Sequence, residues 1–277
     1  MSTHPAFDKG NVAVITGSAD GIGLAAAQQF HQIGMRVCMA DIDAEKLDAA
    51  AADIGDVLAI PVDVSDREQL VSLREKVYAE YGQVDVLMNN AGIGRPTQSW
   101  GEYDNWQAVL AVNLWGIING LHAFTQAMIN QGTPGLIINT GSKQGITTPP
   151  GNPAYNVSKA GVKALTEALQ HQLRNTEGCQ ISAHLLVPGF TYTGMMRQFL
   201  PEKPDEAWTS EQVVDFLVDS VGQGDFYVLC PDNDVDRPTD NKRMAWAMGD
   251  LTENRPPLSR WHPDYADEFA AFMARDK

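Results

Sequence analysis

The chain has 277 residues, 44% of them hydrophobic, which is enough for one large α/β domain with a sizeable core. Its 35 acidic and 20 basic residues give a formal net charge of −15. A surface this negative argues against nucleic acid or an anionic membrane as a partner.

The sequence shows no pattern typical of a targeting segment or of a metal site. The first residues lack a basic region followed by an apolar one, and no apolar run approaches the roughly 20 residues of a membrane span, so we expect a soluble, cytoplasmic protein without a membrane partner. Cys38, Cys179 and Cys230 are scattered, with no Cys-x-x-Cys spacing and no metal-ligand spacing to histidine. We interpret them as core or free thiols and expect no metal.

The first strong pattern is a strand, a glycine-rich loop and a helix. Residues 11–16 predict a strand, Gly17, Gly21 and Gly23 follow with the spacing TGxxxGxG, and a helical pattern begins at once. Glycines let the backbone approach a pyrophosphate, which the positive end of the helix then attracts. The order is typical of dinucleotide binding, although glycine-rich turns also occur without a ligand.

An acidic residue stands where a ribose-binding group is expected. Residues 35–40 predict the second strand, and Asp41 follows it, 18 residues beyond Gly23. A carboxylate there accepts hydrogen bonds from the adenosine ribose and repels a 2′-phosphate. Asp20 adds negative charge nearby, so the sequence favours NAD over NADP. The alternative is that Asp41 is only a turn residue before the next helix.

Strands and helices then continue to alternate. Residues 57–64 predict a strand, 65–81 a helix and 84–92 a strand, which favours a parallel, doubly wound sheet. Asp63 could contact the adenine or cap the following helix. Asn90, Ala91 and Gly92 end the fourth strand in a loop that we expect to close over the cofactor. A helix predicted over 103–131 contains Asn113, whose role, structural or catalytic, stays open.

Three polar side chains are predicted to converge near the middle of the chain. Residues 135–140 predict a buried strand, so Ser142 lies at its carboxyl end. Tyr155 and Lys159 are four residues apart and share one helix face. An adjacent ammonium lowers the pKa of a phenol, which would make Tyr155 a usable acid and base. Ser142, without a neighbouring histidine, suits donation of a hydrogen bond to a substrate oxygen.

The remaining chain predicts a strand at 181–187, a helix over 209–220 and a last strand at 226–230. Residues 191–208 mix apolar, aromatic and charged residues, which indicates a cover over a pocket or an ordinary loop. Residues 231–277 form a C-terminal extension with helices near 240–248 and 264–274. With no composition break, we expect a single domain.

Together these motifs resemble the short-chain dehydrogenase/reductase family over residues 7–230. The resemblance rests on the TGxxxGxG loop, Asn89 to Gly92, Asn113, Ser142, Tyr155 and Lys159, and Pro188-Gly189 through Thr193. It implies a Rossmann-type, doubly wound, mostly parallel seven-stranded sheet with helices on both faces. The extension is not covered by it.

The resemblance also implies roles. Tyr155 would exchange a proton with the substrate, Ser142 would hold the substrate oxygen, Lys159 would bind the nicotinamide ribose and Asn113 would hold a water. The predicted cofactor-binding set is Gly17, Ser18, Asp20, Gly21, Ile22, Gly23, Asp41, Ile42, Asp63, Val64, Asn90, Ala91, Gly92, Tyr155, Lys159, Pro188, Gly189, Thr191 and Thr193. Family members pair through two long helices, here 103–131 and 155–174, so we expect a homodimer or homotetramer.

The substrate pocket is predicted from the residues near these motifs. Its members are Lys143, Gln144, Asn152, Phe190 and Met195, with Arg95, Trp100, Tyr192, Met196 and Trp208 as wider candidates. Such a lining suits a medium-sized hydrophobic or aromatic alcohol or ketone. Arg95 and Lys143 could instead bind a carboxylate. The sequence thus predicts an NAD-dependent secondary-alcohol dehydrogenase or carbonyl reductase; the alternatives are a catalytically silent dinucleotide sensor or scaffold and a dehydratase or epimerase.

Overall fold

The computed structural model describes residues 4–197 and 199–275, which form one α/β domain around a seven-stranded sheet. The strand order is β3-β2-β1-β4-β5-β6-β7, and all neighbouring strands are parallel. The strands are β1 (Val12–Thr16), β2 (Arg36–Asp41), β3 (Leu58–Pro61), β4 (Val86–Asn89), β5 (Gly135–Thr140), β6 (Ile181–Val187) and β7 (Tyr227–Leu229). The predicted doubly wound sheet is confirmed, and it is parallel throughout rather than mostly parallel.

Helices cover both faces of the sheet. They are α1 (Gly21–Ile33), α2 (Ala44–Ile54), α3 (Arg67–Tyr81), α4 (Tyr103–Leu110), α5 (Gly116–Gln131), α6 (Gln144–Thr147), α7 (Pro153–Arg174), α8 (Gly194–Arg197), α9 (Ser210–Gly222), α10 (Arg237–Thr252) and α11 (Ala266–Ala274). One core cluster packs α1, α2 and α9 on the sheet, and the other packs α3, α5 and α7. Strands β1, β4 and β5 are buried at every position, as a parallel sheet covered on both faces requires.

The order of the strands fixes where a ligand can bind. From β1 the chain runs outward through β2 and β3, and then returns to β4 on the other side of β1. At this switch point the loops after β1 and β4 separate and leave a crevice at the carboxyl ends of the strands. The predicted strands 57–64 and 84–92 are shorter in the structure, because their last residues belong to the loops after β3 and β4.

The predicted helix over 103–131 is interrupted in the structure. A π-helical turn at Ala111–Trp115 lies between α4 and α5 and carries the buried Asn113. Such turns occur mostly as local insertions in α-helices, frequently at functional sites. The whole segment Tyr103–Gln131 is long and apolar enough to cross a membrane, which the sequence analysis did not expect, but 50% of its most apolar window is buried inside the fold.

The C-terminal extension forms a helical layer of its own. Asp236 caps α10, which is longer than predicted, and two short 3₁₀ turns precede α11. Trp246 of α10 packs on Phe269 and Phe272 of α11, with ring centroids 5.3 and 5.2 Å apart. The extension is thus built on aromatic contacts rather than on the sheet.

Candidate active site

The loop after β1 forms a tight backbone cradle at the start of α1. Gly17 and Gly21 have φ values of +66° and +57°, which favour glycine. A Cβ on Gly23 would lie 2.1 Å from the carbonyl oxygen of Gly17 and 2.7 Å from Nδ2 of Asn90. The loop therefore excludes side chains at the helix N-terminus, which fits the close approach of a pyrophosphate.

Asn90 holds this cradle in place. Its Nδ2 donates to the carbonyl oxygens of Thr16 (3.2 Å) and Gly17 (3.1 Å), and its Oδ1 accepts from the Thr140 hydroxyl (3.2 Å). The backbone N–H groups of Asn90 and Ala91 donate to Oγ1 of Thr16. The side chain of Asn90 therefore joins the ends of β1, β4 and β5, and its polar atoms are used within the protein.

The predicted adenosine-side carboxylates are ordered by backbone hydrogen bonds. Asp41 accepts from the N–H groups of Ala19 (3.0 Å) and Asp43 (3.1 Å) at the end of β2. Asp63 accepts from the backbone and hydroxyl of Ser65, while Asp66 caps α3. Asp63 is therefore not the helix cap itself, and its contact with adenine stays a prediction.

The other predicted adenosine-side residues differ in exposure. Ile42 is largely exposed beside Asp41. Val64 is buried, and a Cβ on Gly116 of α5 would lie 2.7 Å from its Cγ2. Val64 thus belongs to the core beneath the predicted site, whereas Ile42 is free to contact a ligand.

Ser142, Tyr155 and Lys159 converge at the end of β5. Ser142 lies two residues after the strand, and α7 presents the other two side chains. The Ser142 side chain lies close enough to the phenol of Tyr155 to lower the pKa of that phenol. Nζ of Lys159 donates to the carbonyl oxygen of Thr140 (2.7 Å) and lies 5.7 Å from the centroid of the Tyr155 ring. The predicted grouping of hydroxyl, phenol and ammonium is present.

The protonation of this group differs from the sequence-based expectation. Burial raises the pKa of Tyr155, and the nearby Ser142 side chain opposes that shift. Burial also lowers the pKa of Lys159 from 10.5 to about 8. The net pKa of Tyr155 is therefore raised rather than lowered, because removal from water favours the neutral form of both groups, and a lowering contribution from Lys159 stays a prediction.

Asn113 has a structural role that the sequence left open. Its Oδ1 accepts from the N–H of Ile93 (2.8 Å), and its Nδ2 donates to the carbonyl of Ile93 (3.0 Å) and to Oγ of Ser158 (3.3 Å). The side chain thus fastens the loop after β4 to α7 beside Lys159. A water-holding role of Asn113 stays a prediction.

The segment after β6 reaches back over the cradle. Thr193 lies 3.2 Å from the position of a Cβ on Gly21, and Arg197 forms an ion pair with Asp20. Sδ of Met195 lies 3.3 Å from the position of a Cβ on Gly94. Helix α8 therefore bridges the loops after β1 and β4, as a cover over 191–208 would.

Pro188, Gly189, Phe190 and Thr191 connect β6 to this segment. The backbone N–H of Phe190 donates to Oδ2 of Asp232 (3.1 Å), and Oγ1 of Thr191 donates to the carbonyl of Gly189 (3.3 Å). Thr191 also forms an isolated bridge with Trp208. The predicted nicotinamide and substrate side of the site is thus held by the C-terminal extension.

Several predicted pocket residues have other partners. Asn152 caps α7 and accepts from Thr97 (2.8 Å), while Trp100 is 90% exposed and Gln144 is exposed. Lys143 forms ion pairs with Asp240 (2.6 Å) and Asp232 (3.4 Å). The predicted carboxylate contact of Lys143 is therefore made by the protein's own acids.

Sequence reasoning missed two features of the site. Asp232 and Asp240 fall in the extension, where they were only part of a polar composition. Asn139, inside the apolar run of β5, accepts from Asn89 (2.9 Å) and donates to Thr166 (3.1 Å) below the catalytic group. An asparagine in an otherwise apolar strand is the signal that could have found this network, since a buried amide needs partners.

The site and the fold agree with the comparisons. A model of the short chain dehydrogenase family matches residues 11–204. The chain therefore belongs to the short-chain dehydrogenase/reductase family, and it is an oxidoreductase with the nucleotide-binding Rossmann fold of that family, whose members use NAD(P).

Individual relatives point to related chemistry. A 3-oxoacyl-(acyl-carrier-protein) reductase from Thermotoga maritima is 38% identical over 203 residues, which are 72% of this chain and 80% of the relative. The 3beta-hydroxysteroid dehydrogenase 2 of Eggerthella lenta is 34% identical over 198 residues, 68% of this chain and 75% of the relative. The crystal structure of a family member from Burkholderia phymatum in complex with NAD has 29% identity and a TM-score of 0.79, covering 90% of this chain and 96% of that one.

The lowered pKa of Lys159 can be measured directly. With ¹³Cε-labelled lysine, we expect one resonance to titrate near pH 8. Above that pH the unfolded chain keeps a proton that the folded chain has lost, up to the ordinary lysine pKa of about 10.4, so the free energy of unfolding rises with pH across this window.

Replacement identifies that resonance. Lys159→Arg should remove it, whereas Lys163→Arg, one helical turn further along α7, should leave it unchanged. If all lysine resonances of the wild-type protein titrate near the ordinary value, the desolvation argument is wrong.

Proposed function

We propose that this protein is an NAD-dependent oxidoreductase that interconverts a secondary alcohol and a ketone of medium size and hydrophobic or aromatic character. The observation that carries the proposal is the convergence of Ser142, Tyr155 and Lys159 beside the glycine-rich cradle. A hydrogen-bond donor, a proton-transfer group and a cation then lie at the carboxyl ends of the strands, next to the place that fits a dinucleotide.

Each side chain has one task in this mechanism. When bound, the nicotinamide supplies or accepts the hydride. Ser142 donates a hydrogen bond to the substrate oxygen, and the Tyr155 phenol gives that oxygen its proton in the direction of reduction. Burial raises the pKa of this phenol and so favours its protonated form, which is the form that donates a proton in the direction of reduction. Lys159 would hold the ribose, and Gly189 and Thr193 would border the nicotinamide.

The substrate class rests on the apolar residues of the segment that follows β6. Phe190, Met195 and Trp208 are partly buried and apolar, and Trp208 packs against Phe216 with ring centroids 5.9 Å apart. By their names, the relatives act on a 3-oxoacyl group and on a hydroxysteroid. Both names support a carbonyl or hydroxyl carried on a mainly apolar body.

Tyr155→Phe tests the proton-transfer step. Turnover of a ketone panel, followed by NADH absorbance, should fall about a hundredfold to ten-thousandfold because the phenol supplies general acid catalysis. NADH binding, followed by fluorescence, should persist. Tyr81→Phe removes a phenol far from the site and should leave turnover unchanged.

The outcomes separate the rival functions. Undiminished turnover in Tyr155→Phe removes this residue from the mechanism. A wild-type protein that binds NADH but turns over no alcohol or ketone favours the sensor or scaffold, and product formation without net change in NADH favours a dehydratase or epimerase.

The preference for NAD rests on Asp41 and Asp20. Both carboxylates lie at the adenosine side of the cradle, where a 2′-phosphate would meet their charge. The NAD-bound structure of a family member from Burkholderia phymatum supports this choice.

Asp41→Asn keeps the size of the side chain and removes its charge. We expect kcat/KM with NAD to fall about tenfold, because a hydrogen-bond acceptor for the ribose is weakened. The ratio of kcat/KM with NAD to kcat/KM with NADP should fall by more than about tenfold, because repulsion of the 2′-phosphate is also lost. Asp48→Asn on the outer face of α2 is the control. An unchanged ratio in Asp41→Asn would show that the cofactor preference lies elsewhere.

We further propose a homo-oligomer formed through α4, α5 and α7. Tyr103 of α4, Trp115 of the π-helical turn between α4 and α5, and Val157 of α7 are 73%, 56% and 49% exposed, so large apolar side chains are left uncovered along these helices. Cytoplasmic location and the absence of nucleic-acid, membrane and metal partners stay predictions.

Light scattering after size-exclusion chromatography tests the oligomer. The wild-type protein should elute as a dimer or tetramer, and Trp115→Arg should shift it towards the monomer because a charge cannot be buried in an apolar contact. Leu251→Arg, on the exposed side of α10, should have no effect. A monomeric wild-type protein would contradict the proposal.

A further inference from the structure

A cavity of about 60 Å³ lies between the C-terminal extension and the sheet domain. A single water needs about 10–15 Å³ on this measure, so the space suits several waters or a small organic molecule. Its lining comes from α6, β7, α10 and the turn at Ser259–Trp261, and consists of Lys143, Ile146, Thr147, Leu229, Asp240, Arg243, Met244 and Arg260. Ser142 and Tyr155 are not among the lining residues.

The charge in this cavity is unbalanced. Lys143 pairs with Asp240 and with Asp232, which stands just outside the lining, so these two acids face three cations, Lys143, Arg243 and Arg260, and one positive charge is in excess. Within residues 4–197 and 199–275, the side chains of Arg243 and Arg260 form no hydrogen bond or ion pair, and Nε of Arg243 is buried without a partner. Two guanidinium groups thus line one cavity without a hydrogen-bonded acceptor, although the charge of Asp240 acts on both.

The two arginines also affect each other. Burial lowers the pKa of Arg260, the charge of Arg243 lowers it further, and Asp240 raises it. Arg260 is held in place from the other side, with its guanidinium 4.8 Å from the centroid of the Trp261 ring and 5.4 Å from that of Phe269. The guanidinium therefore lies close to two aromatic rings and to a like charge.

Such an arrangement is stabilised by an anion. A buried donor without a partner is unfavourable, and a guanidinium fork matches the two oxygens of a carboxylate. The remaining lining is apolar at Ile146, Leu229 and Met244. This combination suits a carboxylate on a short aliphatic chain better than a fully polar ion such as phosphate.

We propose that this cavity is a binding site for a small organic carboxylate, held by Arg243 and Arg260. The site adjoins the catalytic centre through Lys143, which follows Ser142 and pairs with the lining residue Asp240. Asp232 extends the connection, since it contacts Lys143 and accepts from the backbone of Phe190. The proposal does not depend on the reaction proposed above, because binding is measured without turnover.

Calorimetric titration of the wild-type protein with acetate, propionate and inorganic phosphate tests the site. Each anion replaces chloride at constant ionic strength and pH. We expect saturable binding, with propionate tighter than acetate because of the apolar lining, and phosphate weakest. Absence of saturable carboxylate binding would overturn the proposal, and so would phosphate binding as tightly as propionate.

Three variants locate the binding. Arg243→Gln and Arg260→Gln should each weaken propionate at least tenfold, whereas Arg237→Gln, exposed at the start of α10 and bonded to Asn241, should bind as the wild type does. Equal binding in all three would place the anion elsewhere. If Arg243→Gln or Arg260→Gln fails to fold, the other of these two variants and the titration of the wild-type protein still test whether the carboxylate binds in this cavity.

Kinetics distinguishes two sources of the carboxylate. If the site receives the acidic end of the substrate, propionate competes with an acid-bearing alcohol and not with its methyl ester. If the site receives a separate molecule, propionate changes the kinetics of both alcohols alike. Either pattern supports the site and assigns its occupant, whereas turnover of both alcohols unaffected by saturating propionate would overturn the connection through Lys143.

Discussion

The site depends on a short chain of hydrogen bonds centred on Thr140. Its hydroxyl donates to Asn90, which holds the carbonyl groups of Thr16 and Gly17, and its carbonyl accepts from Lys159. One residue at the end of β5 therefore links the cradle after β1 to the catalytic face of α7. In a parallel sheet these strand ends lie side by side, so three groups that are distant in sequence share one local frame.

The fold and the principal site residues could be predicted because their signals are local. The alternation of apolar strands with amphipathic helices is visible in the sequence and does not depend on tertiary contacts. Tyr155 and Lys159 share a helix face by their spacing alone. The spacing of the glycines is also visible in the sequence. The structure gives its reason, because a Cβ at Gly23 would collide with the backbone of Gly17.

The pKa shifts, the long-range ion pairs and the irregular helix could not be predicted, because they depend on the tertiary surroundings of the residues involved. The direction of the Tyr155 pKa follows from burial, which the sequence does not display. The ion pairs of Lys143 join residues 89 and 97 positions apart, and nothing in their local pattern marks them as partners. The π-helical turn at Asn113 likewise leaves the apolar pattern of the long helix unbroken, so the turn is visible only in the three-dimensional structure.

Asp20 occupies a special position between two elements. Its Oδ1 caps α1 by accepting from the N–H of Gly21 and also pairs with Arg197 of α8. Movement of α8 therefore changes the electric potential at the N-terminus of α1. The affinity for the nucleotide and the position of α8 are then thermodynamically linked. By reciprocity, a position of α8 that raises the affinity for the nucleotide is itself favoured when the nucleotide binds. An exposed ion pair supplies only a small coupling free energy, so this link adjusts nucleotide affinity slightly rather than acting as a switch.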